Sequence, residues 1–362
     1  MSPMPSMKRR LAVWVERRWY GSPGLLWLLF PLELLYVGLS AVRRALYRSG
    51  ILSSDHPGVP VIVVGNVTAG GSGKTPCVRA IADHLLDAGL RPAIVSRGHG
   101  GTDPGPRAVR SDDDARQVGD EALMLARTAR HKVVIGRDRA AAARIAVEQG
   151  ANTVVCDDGL QHYALARDIE IIAIDGTVGL GSGRRIPVGP LREAPARLDT
   201  ADFILERNGR DPGTAVAYRP IAFRHCASGE IARPDQFVPK RDVHALAAIA
   251  RPERFFNQLR DLGISITEHV YADHEVPPLD DLRKLVGRPL IITEKDEVKL
   301  PVQVHDDCWV LLMEADLPAT FFPKLRERLS AAATRYDVFI PDPADTTDST
   351  QGAGKVHRVA VP

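Results

Sequence analysis

The chain has 362 residues, more than one ordinary core supports, and its 44% hydrophobic and 25% charged residues are a globular composition. Two domains are therefore predicted, and a disordered or fibrous chain is excluded. The net charge is +2, but residues 1–50 hold eight lysines and arginines against Glu16 and Glu33, a local +6, so the basic excess marks one segment and not a face for nucleic acid.

Residues 25–42 (LLWLLFPLELLYVGLSAV) are almost continuously apolar, with Trp14, Trp19 and Trp27 nearby and arginines on both sides. The length could just span a bilayer. Against a simple span, Pro31 kinks a helix, Glu33 is costly in hydrocarbon, and the basic flanks give no orientation. No small-residue cleavage site follows, which argues against a cleaved leader. An interfacial anchor fits better, with arginines at anionic headgroups; a helix buried on the protein's own core is the alternative.

Val61–Val64 read as a buried strand that breaks into GNVTAGGSGKTP, after which residues 77–86 carry apolar residues at helical spacing. This order predicts a phosphate-cradling loop and a bound nucleoside triphosphate. Asn66, Thr68, Ala69, Gly70, Gly71, Ser72, Gly73, Lys74, Thr75 and Pro76 line it, Lys74 giving a point charge to the phosphates and Thr75 a hydroxyl for Mg²⁺. Thr68 stands where the usual pattern has its first glycine.

Further on, strands are predicted at 91–96, 132–135, 153–156, 170–174 and 203–205, with helices at 120–130 and 139–149 and a flexible loop to about Val118. After a linker at 226–240 come strands at 244–250, 265–271, 289–293 and 309–312, and helices at 252–262, 279–286 and 319–331. The alternation implies a P-loop NTPase-type α/β fold, a doubly wound, mostly parallel sheet, with a second, smaller α/β domain and an N-terminal membrane-associated helix. The expected divisions are 1–50, a core at 51–230, a smaller domain at 231–341 and a disordered tail at 342–362. Cys77, Cys156, Cys226 and Cys308 lack metal-ligand spacing and suit a reducing cytoplasm.

Asp157 and Asp158 end an apolar strand, where a P-loop protein places a carboxylate near Mg²⁺; a strand-terminal turn is the other reading. Asp120 and Glu121 open a helix, and spacing alone favours a cap. Arg192 can serve phosphate charge or sit in a salt-bridged loop.

Taken in order, GNVTAGGSGKTP, SRGHGG, VGDE, DDGLQH, PVGPLRE, HALAAIARPERFF, ADHE and TEKDEVK resemble the motif series of the tetraacyldisaccharide 4′-kinases, over residues 61–300. The resemblance implies ATP and Mg²⁺ as cofactors and a lipid A disaccharide 1-phosphate as acceptor. It also implies residence at the cytoplasmic face of the bacterial inner membrane, with no nucleic acid and no obligate protein partner. It pairs Asp120 with His274 across an interdomain cleft to activate the sugar hydroxyl. Asp157, Asp158, Glu121 and Glu193 become candidates for the metal and for positioning, and Arg139 and Arg192 for phosphoryl charge. His99, Ala122, Leu160, Ala248, Ala250 and Glu275 depart from the family's usual residues without removing a proposed catalytic group. The alternatives are a kinase or ligase acting on a soluble substrate, and a nucleotide-dependent membrane switch.

Overall fold

The structure, a computed structural model, describes residues 7–70, 73–237, 242–300 and 305–341. Gly71, Ser72 and the expected tail 342–362 lie outside the described residues. In chain order the elements begin α1 (Met7–Trp19), α2 (Phe30–Arg48), β1 (Val61–Gly65), α3 (Lys74–Asp87) and β2 (Pro92–Ser96). Next come β3 (Arg107–Ala108), α4 (Ala115–Val118), α5 (Asp120–Thr128), β4 (Lys132–Ile135), α6 (Arg139–Glu148), β5 (Thr153–Asp157), β6 (Ile169–Asp175) and β7 (Phe203–Arg207). The chain continues with β8 (Ala215–His225), β9 (Ile231–Ala232), β10 (Val243–Ala247), α7 (Pro252–Asp261), β11 (Ile266–Val270) and α8 (Leu279–Arg283). It closes with β12 (Leu290–Thr293), α9 (Glu294–Glu297), β13 (Cys308–Asp316) and α10 (Phe321–Ala333). The mostly parallel α/β architecture read from the sequence is present.

Two compact units form. Of the described residues, the first takes 7–74, 154–217 and 317–338, and the second takes 75–153, 218–316 and 339–341. In the first, β5, β1, β6 and β7 lie side by side in parallel, with Val64 opposite Asp157 and Val63 opposite Glu170. Parallel strands bury both faces, and Val61 through Val64 are wholly buried. That register sets the end of β5 beside the start of the phosphate loop. A buried clasp closes the other end of β1. One Asp168 oxygen accepts from the Val61 N–H at 2.9 Å and meets His56 Nε2 at 3.1 Å; the other accepts from Tyr336 and meets Arg335.

In the second unit β4 lies between parallel β2 and antiparallel β3, and β10 between parallel β11 and β12, with β13 beyond β12. Phe255, Phe256 and Leu259 of α7 close a core with Phe223, Val243, Ala245 and Leu311. Strands β8 and β9 were not foreseen, β9 lying inside the expected linker. Pro220 and the arginines of β8 disguise the strand; Arg224 pairs with Glu297 at 2.6 Å and Arg219 with Asp316 at 2.7 Å. The loop expected between β2 and α5 is instead tied down. Arg107 bridges Asp103 and Asp113, and Asp114 caps α4 through the Arg116 N–H.

Candidate functional site

Two clusters of chemistry-bearing side chains stand out, one in each unit. The first surrounds the loop between β1 and α3. Gly70 (φ 103°) and Gly73 (φ 76°) adopt left-handed backbone that other residues rarely take. The Asn66 side chain donates to the Gly70 carbonyl at 3.3 Å, and Gln161 donates to the Asn66 carbonyl at 3.1 Å. Thr68 and Ala69 pair with Leu191 and Pro190, and the Arg192 N–H reaches the Val67 carbonyl at 2.7 Å. The PVGPLRE segment is therefore the loop's backbone partner, seated on a core of Val67, Leu160, Ile172 and Leu191.

Lys74, the first residue of α3, places Nζ 3.3 Å from Asp158 Oδ1, and Arg192 Nη1 lies 3.2 Å from Oδ2. Asp158 is itself left-handed (φ 50°), a conformation unusual for a residue with a side chain and common at functional sites. Burial alone would push its carboxyl up, but Lys74 and Arg192 outweigh that and hold it at about 2. Such a depressed carboxylate contributes stability above its ordinary 3.8, and that stability drains as pH falls toward 2. Asp158→Asn should therefore flatten the acid fall in stability over that window, measured by denaturant unfolding at stepped pH. Parallel curves for variant and wild type would show that the two ion pairs contribute nothing.

The remaining metal candidates are spread out. Asp157 is buried at the end of β5, and Thr75 is the second residue of α3. Glu193 accepts from Arg44 at 2.7 Å and from Tyr163 at 2.8 Å; burial and Glu193 push the Tyr163 hydroxyl up to about 12, so it stays a donor. Glu121 accepts from Lys295 at 3.2 Å. Among the described residues no three His, Cys, Asp or Glu side chains gather as a ready-made ion site. Mg²⁺ with a nucleotide needs only one or two carboxylates, because phosphates and water complete its shell. A left-handed glycine loop, a helix opening on Lys-Thr and two carboxylates at the end of β5 fit that requirement. Arg139, the other arginine proposed for phosphoryl charge, is buried in α6.

Helix α2 is clamped onto this cluster by its polar face. Glu33, buried, accepts from the Arg185 N–H at 2.9 Å and pairs with Arg184 at 3.0 Å, while Arg184 lies over the rings of Trp27 and Phe30. Tyr36 donates to the Arg192 carbonyl at 2.9 Å, beside the Arg44–Glu193 pair. The opposite face carries Leu32, Leu35, Leu39 and Val42 at helical spacing, and these and Leu28, in the turn just before α2, are all exposed. The polar side thus faces protein and the apolar side faces away, the reverse of a soluble helix.

The second cluster forms around α5. Gly119 has φ 88°, and a Cβ there would lie 2.4 Å from the His99 carbonyl oxygen, so only glycine lets the two loops touch. The contact delivers Asp120 to the first turn of α5. Its Oδ1 accepts from the Glu121 N–H at 2.9 Å, and its Oδ2 lies 2.8 Å from His274 Nδ1. The expected cap is not formed: the residue before α5 is Gly119, which has no side chain to cap it, and the Asp120 carboxylate serves the neighbouring Glu121 N–H and His274 instead. His274 is left-handed (φ 64°), and its ring meets His99 edge-on at 5.5 Å. Both partners belong to the second unit.

Sequence reasoning assigned no role to Lys295, yet its ammonium lies 3.0 Å from Asp273, 3.2 Å from Glu121, 3.5 Å from His274 Nε2 and 3.7 Å from Asp120. The available signal was Thr293-x-x-Asp296 after an apolar strand, a capping pattern that fixes a short helix. Thr293 accepts from the Asp296 N–H, and buried Asp296 binds Lys299 at 2.7 Å. Burial raises the Asp120 carboxyl, but His274 and Lys295 prevail and lower it; the hydrogen bond to Asp120 outweighs burial and raises His274. The pair's stability contribution is thus present above about 3.8 and below about 6.5. It is lost on the acid side as Asp120 protonates and on the alkaline side as His274 discharges.

A buried parallel strand, a glycine loop and a helix opening on Lys-Thr, with carboxylates at the neighbouring strand's end, define a P-loop-type phosphoryl-transfer fold. Residues 25–330 match the tetraacyldisaccharide-1-P 4′-kinase family. The chain belongs to that family. It is 40% identical over 322 residues to a tetraacyldisaccharide 4′-kinase of Stenotrophomonas maltophilia, covering 86% of this chain and 95% of the relative. It is 42% identical over 315 residues to one of Aromatoleum aromaticum, covering 84% and 93%. A crystal structure of an "apo" form of LpxK from Aquifex aeolicus, in complex with ATP, superimposes with a TM-score of 0.73 at 27% identity, covering 85% of this chain and 99% of that one.

Proposed function

We propose that this protein transfers the γ-phosphoryl group of ATP to the 4′-hydroxyl of a tetraacylated disaccharide 1-phosphate at a membrane surface. The observation that supports a kinase over a nucleotide switch is the 2.8 Å contact of Asp120 with His274. A switch that only hydrolyses nucleotide has no need of an alcohol-activating pair.

The nucleotide's phosphates lie against the loop and the start of α3, with Lys74 and Arg192 facing the charge that spreads over the transferred group. Mg²⁺, held by Thr75 and one of Asp157 and Asp158, would neutralise phosphate charge. Asp120 accepts the proton of the 4′-hydroxyl as its oxygen bonds to the γ-phosphorus. The bond from that phosphorus to the β,γ-bridging oxygen breaks, and ADP leaves with the electron pair. His274 holds the carboxylate in place through Nδ1.

The outward leucines of α2 support the membrane reading. The stretch 24–48 is long and apolar enough to cross a bilayer, with 11% of its apolar window buried. A leucine moved from water into hydrocarbon contributes about 1.5–3 kcal/mol. Replacing Leu28, Leu35 and Leu39 by glutamine should therefore leave the protein in a high-speed supernatant while keeping the bonds of Glu33, Tyr36 and Arg44. A triple variant that still pellets with vesicles would place the anchor elsewhere.

The decisive assay uses purified protein, γ-labelled ATP and the disaccharide 1-phosphate in detergent. Label should move into the organic-extractable lipid. ADP release without labelled lipid would sink the kinase reading in favour of a switch.

A further inference from the structure

The clamp that holds α2 brings Arg44, Arg184 and Arg185 together with Glu33 and Glu193, all in the first unit, and the charges do not balance. Both oxygens of Glu33 are engaged, Oε1 by the Arg185 backbone N–H at 2.9 Å and Oε2 by Arg184 at 3.0 Å. Both oxygens of Glu193 are engaged too, Oε2 by Arg44 at 2.7 Å and Oε1 by the Tyr163 hydroxyl at 2.8 Å. The guanidinium of Arg185 has no carboxylate of its own. It lies within electrostatic reach of Arg44, Glu193, Tyr36 and Glu33, yet its Nη1 is buried and meets no hydrogen-bond partner among the described residues. A guanidinium cannot shed its proton, so such a donor is costly until an anion accepts from it. The loop beneath it is closed on itself: the Arg185 carbonyl accepts from the Gly189 N–H at 2.8 Å, and the Ile186 N–H donates to the Leu191 carbonyl at 3.0 Å.

The planar fork of an arginine matches the oxygens of a phosphate. Helix α2 carries both Glu33 and Arg44 of this cluster and the exposed stripe of Leu32, Leu35 and Leu39. One helix thus joins a cationic spot to an apolar outer surface, and a molecule bearing a phosphate and acyl chains complements both. We propose that Arg185, beside Arg44, is a subsite for a lipid-borne phosphate, and that this phosphate is the 1-phosphate of the acceptor. The inference rests on the kinase reading above. The 1-phosphate does not react, so Arg185 is a specificity residue that holds the acceptor equally before and during transfer. A bilayer phospholipid offers the same chemistry, and the test separates the two sources.

Transfer from labelled ATP is measured in non-ionic detergent with two acceptors, the tetraacylated disaccharide 1-phosphate and the same lipid with a free 1-hydroxyl. Arg185→Gln should raise KM for the 1-phosphate acceptor by about tenfold or more, the usual loss of one hydrogen bond to a charged group. Its kcat, its KM for ATP and its KM for the 1-hydroxyl acceptor should stay within a few-fold of wild type. Arg185→Lys should recover part of the loss, since it keeps the charge without the fork. Without lipid, Arg185→Gln should melt no lower than wild type, because the backbone N–H still serves Glu33 and an unpaired charge is gone. Sedimentation with phosphatidylcholine vesicles, with and without phosphatidylglycerol, tests the other source. If Arg185→Gln loses only its preference for phosphatidylglycerol and keeps KM, the subsite stands and its phosphate is a headgroup. An Arg185→Gln enzyme that treats both acceptors alike and pellets like wild type with both vesicles overturns the inference. If the wild-type enzyme labels neither acceptor, the kinase reading fails by itself, and the vesicle comparison alone decides the subsite.

Discussion

Lys74→Ala should lower kcat by about 10²–10³-fold, the usual loss when one preorganised charge at a transition state is removed. Unfolding cannot be the cause. Lys74 pairs with Asp158, whose side chain is 38% exposed, and ion pairs with such solvent access contribute less than about 1 kcal/mol against a total stability of about 5–15 kcal/mol. The melting temperature should hardly move. Lys74→Arg should not rescue, because a planar fork does not replace a compact ammonium beneath a phosphate. Thr75→Ala should lose a comparable factor by removing a metal ligand, and raising Mg²⁺ should recover part of it but none of the Lys74→Ala loss. Single-turnover transfer from labelled ATP measures the chemical step directly. Rates within a few-fold of wild type for both variants would remove this loop from the nucleotide site.

The phosphate loop was legible because each of its signals is local. Val61–Val64 must be apolar to lie buried between two parallel strands, and the glycines and Lys74 follow within a dozen residues. The neighbours that fix each charged group are not local. Glu193 and Glu121 read as metal candidates, but their cations, Arg44 and Lys295, are 149 and 174 residues away in sequence. No spacing rule reports such a pairing. The apolar segment shows the same limit. Hydropathy flagged Glu33 as a penalty for a membrane helix, whereas the fold turns it inward onto Arg184 and the Arg185 N–H. What remains outside is a leucine stripe, and the residue that argued against lipid contact becomes the one that orients the helix.

Asp120→Ala, His274→Ala and the double variant should each lose a similar amount of kcat, about 10²–10⁴-fold, the range for general-base assistance. Similar losses are expected because residues acting as one unit do not add. With Asp120 gone, His274 has nothing to orient. With His274 gone, Asp120 keeps its Glu121 N–H and the Lys295 ammonium at 3.7 Å, so the carboxylate survives but is turned toward a cation instead of an imidazole. ATP binding should change little, since neither residue contacts the phosphate loop's ion pairs with Asp158. His274→Asn, which can still donate to Oδ2, should recover part of the loss, whereas His274→Ala should not. The Glu121 N–H contact offers a control on stability. Asp120→Asn keeps an acceptor for the Glu121 N–H and should unfold near the wild-type temperature, while Asp120→Ala removes that hydrogen bond and loses about 0.5–1.5 kcal/mol. A double variant whose loss equals the product of the two single losses would mean that the residues act independently. The 2.8 Å contact would then be an ion pair at the start of α5, and no more.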